Sequence, residues 1–249
     1  MSVPRFYCPS LLHATAQLEL PPSAAHHART VLRLRVNDAV QLFDGTGIEL
    51  RGIISSINKN SVVLGDLRPC QINRESALSV VLAQAMCSSE KMDWVVQKAT
   101  ELGVAEIQPV QTQRSVASLS GERAEKRVDH WRNVAIAACE QCGRNILPQV
   151  HRPQNLQNWL GSQRIPSDTS SGRKFILLPE AANSLSQYPA IPGAITLLIG
   201  PEGGFTADEA GLAQQAGFLP LRLGSRVLRT ETAALVGIAA LQTLWGDFQ

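Results

Sequence analysis

Long apolar runs are missing from this sequence: no hydrophobic stretch approaches the roughly 20 residues needed to cross a bilayer. Excess charge of one sign is missing too. Lys and Arg total 23 against 21 Asp and Glu, a net of +2, so no global cationic field gathers nucleic acid, and any such surface is a local patch. The first residues, Met1 to Tyr7, have neither the apolar stretch nor the small-residue cleavage site of a signal peptide, so a cytoplasmic setting is expected. Five cysteines, odd in number and irregularly spaced, make no disulfide framework, in keeping with a reducing compartment. Metal-ligand clusters are also lacking. Cys139 and Cys142 form a Cys-x-x-Cys pair, but no second pair accompanies it, so an ordinary helical position is favoured over half a zinc site and no metal is expected.

What is present is ordinary globular material. At 44% hydrophobic and 18% charged, 249 residues suffice for a core, in one large domain or in a small one joined to a larger. Residues 39–43 read as a strand, followed by the Asp44-Gly45-Thr46-Gly47 turn. Residues 48–57 and 61–64 read as further strands, split by Asn58-Lys59-Asn60. Several short strands with tight turns predict a small barrel. Before them, residues 26–34 have helical spacing and carry His26, His27, Arg29 and Arg33, with Arg35 directly after and not one acid among them, which points to a phosphate-contacting patch rather than a merely solvated face.

Near residues 73–77 the pattern changes to alternating strand and helix, which predicts a mostly parallel α/β sheet and places the domain boundary there, with domains at 1–72 and 73–249. Helices are expected over 91–102, closed by Gly103, and over 122–143. Strands are expected over 106–110, 175–178 and 194–199, and a surface loop over 161–172. Trp94, Trp131, Trp159 and Trp245 lie in or beside apolar segments and read as core.

Two loops carry the chemistry. After the strand 194–199 comes Gly200-Pro201-Glu202-Gly203-Gly204, then Phe205 and a capping box in which Thr206 caps a helix and Glu209 reaches back. The helix runs to about Ala216, with Gly217 at C′. A glycine-rich loop leaving the carboxyl end of a strand is where open α/β sheets bind ligands. No Gly-Lys-Ser/Thr follows, so it is not a P-loop, and it lacks the Gly-x-Gly-x-x-Gly dinucleotide fingerprint. Glu202 would repel phosphate; a carboxylate with open backbone groups suits a cofactor with hydroxyls, an adenine edge and a cationic centre. The second loop follows strand 218–223. Gly224-Ser225-Arg226-Val227-Leu228-Arg229 leads to Thr230, read as an N-cap, and Glu231, ahead of a helix with Ala234, Leu235, Ile238, Leu241 and Trp245 on its apolar face. Two such loops in succession indicate a cofactor site and hence an enzyme.

Leu198-Ile199-Gly200-Pro201-Glu202-Gly203-Gly204-Phe205, together with Leu221-Arg222-Leu223-Gly224-Ser225-Arg226-Val227-Leu228-Arg229-Thr230-Glu231-Thr232-Ala233, resembles the RsmE family. So do Glu90-Lys91-Met92-Asp93-Trp94, Gln97 to Gly103, Glu140-Gln141-Cys142-Gly143-Arg144 and the early His26-His27 with Val31-Leu32-Arg33. The resemblance implies an S-adenosylmethionine-dependent methyltransferase acting on N3 of a uridine in 16S ribosomal RNA, within the 30S subunit. It also implies a homodimer, a C-terminal SPOUT-type parallel sheet with a deep trefoil knot, and an N-terminal PUA-like β-barrel that binds RNA. Ser225 departs from the proline expected after Gly224 and loosens that loop.

On this resemblance the cofactor would lie against Leu178, Ile199, Gly200, Pro201, Glu202 and Gly203, with Leu223, Gly224 and Leu228 on the facing loop. Arg229 would stabilise the developing uridine anion and Glu231 would position the base or accept its proton. Arg5, Arg29, Arg33 and Arg35 would contact phosphates, with Arg114 and Arg144 as further candidates. Two rivals stand beside this: a ribosome-assembly factor that keeps the cofactor fold without chemistry, and another SPOUT activity such as ribose 2′-O-methylation or tRNA guanine methylation.

Overall fold

The structure is a computed structural model that describes residues 3–9, 17–116, 119–163, 172–190 and 193–248. It divides into two compact units, Met1–Glu75 with Ile136–Leu147, and Ser76–Ala135 with Pro148–Gln249.

In the first unit, strands β1 (Arg5–Tyr7), β2 (Gln17–Glu19), β3 (Ala39–Phe43), β4 (Glu49–Ile57) and β5 (Val62–Pro69) form a five-stranded sheet in the order β1-β3-β4-β5-β2. Pairing is antiparallel except between β1 and β3. Alternation along β3 and β4 sends Val40, Leu42, Leu50 and Ile54 into a core with Phe6, Val62 and Leu64. The basic helical segment is α1 (Pro22–His26), continued by a π-helical turn, His27–Val31. It ends short of the expected Leu34, and Arg33 adopts a left-handed φ of 53°. His27 packs edge-on against Phe6, so it serves the core.

One carboxylate organises the polar interior of this unit. The Glu49 side chain is fully buried and pairs with Arg5 at 2.6 Å and Arg74 at 3.1 Å. Arg5 also donates to the Arg144 carbonyl and to Asn145 Oδ1, while the buried Arg144 guanidinium pairs with Glu75 at 2.7 Å. A buried ion pair contributes little net stability, but breaking one strands a charge at low dielectric.

The second unit is built on a sheet whose pairings are all parallel. Its strands are β6 (Val80–Ala85), β7 (Glu106–Gln111), β8 (Gln149–Val150), β9 (Gln154–Asn155), β10 (Arg173–Leu177), β11 (Ile195–Ile199) and β12 (Leu219–Leu221). The order is β12-β10-β11-β6-β7-β8, with β9 also on β7. Central strands of such a sheet are covered on both faces, which is why β6 and β11 are near-continuous apolar runs and β10, after Arg173-Lys174, ends in apolar Phe175-Ile176-Leu177.

The covering helices are α2 (Ser89–Glu101), α3 (Gly121–Cys142), α4 (Leu156–Ser162), α5 (Ala207–Gln215) and α6 (Thr230–Trp245); the division between the units falls within α3. On α2, Met92, Val95, Val96 and Ala99 are buried, as their spacing predicts. Trp94, expected in the core, is 43% exposed: two residues beyond Met92 places it about 200° around the helix, away from the apolar stripe. Trp131 and Trp159 are buried, and Trp245 stacks on Phe175. Gly217 takes the left-handed conformation expected after α5, with φ 88°. Gly161 and Ser162, read as the start of a surface loop, instead finish α4; residues 164–171 of that stretch lie outside the described residues.

All five cysteines are free thiols. Burial is the first cause that pushes Cys8, Cys87 and Cys139 up to about 12, so those three are neutral and inert at physiological pH. Ellman's reagent at pH 8 is therefore expected to titrate no more than Cys70 and Cys142 in the native chain and all five in denaturant; fast reaction of a third native thiol would contradict this packing. Replacing Arg5 by Met leaves Glu49 only its Arg74 partner and is expected to cost about 3 kcal/mol in urea unfolding. An unchanged midpoint would mean that Glu49 is not held in this buried pair.

Candidate active site

Because every strand of the second sheet runs in parallel, the segments that follow β10, β11 and β12 leave from the same edge. They enclose a pocket of about 510 Å³, a size ordinary for a small-molecule site. Leu178 follows β10, Gly200 to Phe205 follow β11, and Arg222 to Arg229 follow β12. The first turn of α6 supplies Thr230 and Ala233, and Lys91 comes from α2.

The capping box after the glycine loop forms as expected. Thr206 Oγ1 accepts from the Glu209 amide at 3.2 Å, and Glu209 Oε2 accepts from the Thr206 amide at 2.9 Å. This fixes where α5 starts and therefore where residues 200–205 must turn. In the second loop Gly224 has a φ of 74°, a conformation L-residues resist, so the chain can reverse there beside the pocket. Ser225 next to it is exposed.

Thr230 corrects the sequence reading. It is the first residue of α6, Arg229 being the N-cap, and its side chain does not cap the helix. Its buried hydroxyl instead donates to the Gly200 carbonyl at 2.5 Å and accepts from Gln84 Nε2 at 2.9 Å. Gln84, itself fully buried at the end of β6, also donates to the Ala85 carbonyl. One hydroxyl thus ties the glycine loop, the start of α6 and the end of β6 together. Because Gln84 donates into the hydroxyl, the hydroxyl's own proton goes to Gly200.

A second link is ionic. Lys91 Nζ lies 2.8 Å from Glu202 Oε1 and 3.6 Å from Glu231 Oε2, joining α2, the glycine loop and α6. Burial alone would raise the Glu202 carboxyl, but the hydrogen bond from Lys91, helped by backbone amides, holds it below the usual carboxylate range. The hydrogen bond to Glu202 raises the Lys91 ammonium above its ordinary value. Both groups therefore stay charged through the neutral range. Glu231 Oε2 is buried without a hydrogen-bond partner.

Of the expected cofactor residues, Leu178, Ile199, Gly200, Pro201, Glu202, Leu223, Gly224 and Leu228 line this pocket, and Arg229 lines it too. Gly203 does not line it; its carbonyl accepts from Arg114 Nη1 at 2.8 Å. Glu231, next to Thr230, is not among the lining residues; its carboxylate lies 3.6 Å from Lys91 Nζ. The basic residues separate into two kinds. Arg33, Arg35 and Arg114 are exposed and Arg29 is half-buried, whereas Arg5 and Arg144 are buried in carboxylate pairs of the first unit.

Sequence reasoning missed Lys91 and Gln84 as site residues, though each left a trace. A lysine in the first turn of a helix opposes the helix dipole and needs a partner there. A glutamine in an otherwise apolar strand must find hydrogen bonds when both sheet faces are covered.

A family profile described as an RNA methyltransferase domain matches residues 74–242, and a second, described as an RNA methyltransferase PUA domain, matches residues 20–67. A methyltransferase of Legionella pneumophila, solved with the bound cofactor SAM, superposes with a TM-score of 0.93 at 38% identity over 100% of both chains. A ribosomal RNA small subunit methyltransferase E of Neisseria gonorrhoeae, solved bound to S-adenosyl methionine, gives 0.92 at 39% identity over 100% of both chains. The ribosomal RNA small subunit methyltransferase E of Buchnera aphidicola is 32% identical over 247 residues, covering 99% of this chain and 96% of its own. Profile, relatives and pocket agree: the chain belongs to the ribosomal RNA small subunit methyltransferase E family.

Proposed function

We propose that this protein transfers a methyl group from S-adenosylmethionine to N3 of a specific uridine in the 16S ribosomal RNA of the small subunit. The observation that carries the reading is the pocket at the carboxyl edge of the parallel sheet, lined by Arg229 and by the ion-paired Lys91 and Glu202. The lining fits such a cofactor. Leu178, Leu223 and Leu228 supply apolar surface for an adenine ring, the glycine loops present backbone donors and acceptors, and the pocket's volume suits one nucleoside-sized ligand.

When bound, the cofactor supplies an electrophilic methyl group on a sulfonium. The chain's own residues have two tasks. They must hold the uridine nitrogen in line with that methyl, and they must handle the N3 proton and the negative charge that its loss leaves on the base. Arg229 and the amino terminus of α6 bring positive charge to the rim, where they stabilise that charge. Glu231 orients the base or receives the proton, with Lys91 Nζ 3.6 Å from its carboxylate. Thr230 holds the Gly200 carbonyl, and with it the shape of the cofactor loop.

RNA reaches the site through phosphate contacts from Arg29, Arg33 and Arg35 of the PUA-type unit and from Arg114 of the catalytic unit. Arg5 and Arg144 belong in this reading to the polar interior of their own unit, because carboxylates already occupy them. The reading also includes a 30S substrate, a homodimer, a cytoplasmic setting and a deep knot. The strand order supports the knot: β12 pairs with β10 on the side away from β11, so the segment after β11 must cross β10.

Incubating the chain with labelled S-adenosylmethionine and small ribosomal subunits, then mapping nucleosides by mass spectrometry, is expected to yield 3-methyluridine at one position. Methylation of a ribose or of guanine instead would overturn the assigned chemistry. Arg229→Ala is expected to lower kcat about 100-fold with cofactor affinity unchanged; a wild-type rate would remove Arg229 from the mechanism. Thr230→Val, which deletes both hydroxyl bonds, is expected to weaken cofactor binding about 10-fold in equilibrium dialysis, while Thr230→Ser retains it. Equal affinities for the two variants would show that the Gly200 link does not shape the pocket.

A further inference from the structure

A second cavity, of about 390 Å³, lies in the same unit and has no part in the chemistry above. Its walls are the segment after β7 (Gln111, Thr112, Gln113, Ser115), the start of α4 (Asn155, Leu156, Gln157) and one face of α5 (Glu209, Leu212). The lining is unusual in kind. Gln111, Gln113, Asn155 and Gln157 carry amides, Thr112 and Ser115 carry hydroxyls, and neither a lysine nor an arginine contributes. A phosphate would find no cation there.

Glu209 is the one charge in the lining, and it is only 5% exposed. Its Oε1 accepts from the Gln113 amide at 2.7 Å and its Oε2 from the Thr206 amide at 2.9 Å. Each oxygen keeps a second lone pair. Thr112 and Ser115 hydroxyls bond each other at 2.9 Å, and Asn155 Oδ1 is taken up capping α4. The side-chain amides of Gln113 and Gln157 have no protein partner among the described residues. The cavity therefore offers fixed acceptors and two adjustable amides, a set that matches a flat, uncharged ligand with N–H groups along an edge.

Its position identifies the source of that ligand. The segment that walls the cavity also carries Arg114, whose guanidinium reaches the Gly203 carbonyl of the glycine loop. Gly204 and Glu202, on either side of Gly203, line the main pocket. A single arginine thus connects the two depressions. We propose that the second cavity is a base-reading subsite that takes a nucleotide near the target uridine and prefers a base with an exocyclic amine (adenine, cytosine or guanine) over uracil. Uracil lacks that amine; its single ring N–H is flanked by two carbonyl oxygens, which the Glu209 carboxylate would repel. The inference rests on the RNA methyltransferase activity proposed above.

The test measures methyl transfer to small subunits reconstituted with 16S RNA that carries each of the four bases at the positions flanking the target, with the protein-free RNA alongside, in parallel with S-adenosylmethionine binding. For the wild-type chain, one flanking position should favour amine-bearing bases over uracil by about 10-fold in kcat/KM. Gln113→Ala and Gln157→Ala alter side chains that face solvent, so folding is spared; each should cut that preference to below about 3-fold and leave cofactor affinity unchanged. Leu212→Trp, which fills the cavity, should abolish the preference. Equal rates for all four bases, or a preference that survives these variants, would overturn the subsite while leaving the activity standing. Variants impaired on assembled subunits but normal on protein-free RNA would also overturn it, by assigning the cavity to a ribosomal protein. No transfer by the wild-type chain to any RNA would instead overturn the activity itself.

Discussion

Parallel pairing is the constraint on which the second unit depends. In such a sheet, every strand must be re-entered from the same end, so each connection crosses a face and every post-strand segment collects at one edge. Leu178, the glycine loop from Gly200 and the segment from Arg222 to Arg229 are far apart in the chain, yet this rule brings residues of all three to one pocket. The neighbouring post-strand segment after β7 falls at that edge as well and supplies a wall of the second cavity. The ligand-facing geometry is thus a by-product of how the core is built. It needs only glycines where the backbone must come close and a few polar side chains to pin the turns.

The pinning follows from what buried polar groups require. Gln84 and Thr230 have no water to turn to, so their hydrogen bonds to each other and to Gly200 are obligatory, and the glycine loop inherits that rigidity. The Lys91 ion pair works differently. Being partly exposed, it adds little to stability, but it sets a lysine between the Glu202 and Glu231 carboxylates and so joins α2, the glycine loop and α6. In the first unit, Glu49 obeys the first of these rules. Its burial compels two arginines to attend it, and this removes Arg5 from the surface.

Much of the scaffold was legible in the order of residues. The apolar runs at β6, at β11 and at the end of β10 announce strands covered on both faces, and the spacing of Met92, Val95, Val96 and Ala99 announces α2. Thr206 and Glu209, only three residues apart, declare their own capping box. The glycine loops could be placed at strand ends, and most of the expected cofactor residues line one pocket. Less legible were residues whose role lies outside their own segment. Thr230 carries an N-cap signature, yet its hydroxyl is drawn to a carbonyl 30 residues away. Trp94 borders an apolar stripe without belonging to it. Arg5 and Arg144 look like surface cations because nothing nearby in sequence names their carboxylate partners.

Local physics therefore determined the elements by itself: periodicities of two and 3.6 residues, caps three residues apart, and glycines where the backbone turns, all of which act over less than ten residues. The family resemblance of the loops is likewise contained in short words of sequence. What tertiary structure alone decided is who meets whom. Gln84 and Thr230 are 146 positions apart, and Lys91 and Glu202 are 111 apart. No periodicity couples such distant residues. Their meeting is set by strand order and helix packing, and only in that arrangement do a buried hydroxyl, a lysine and two carboxylates become one site.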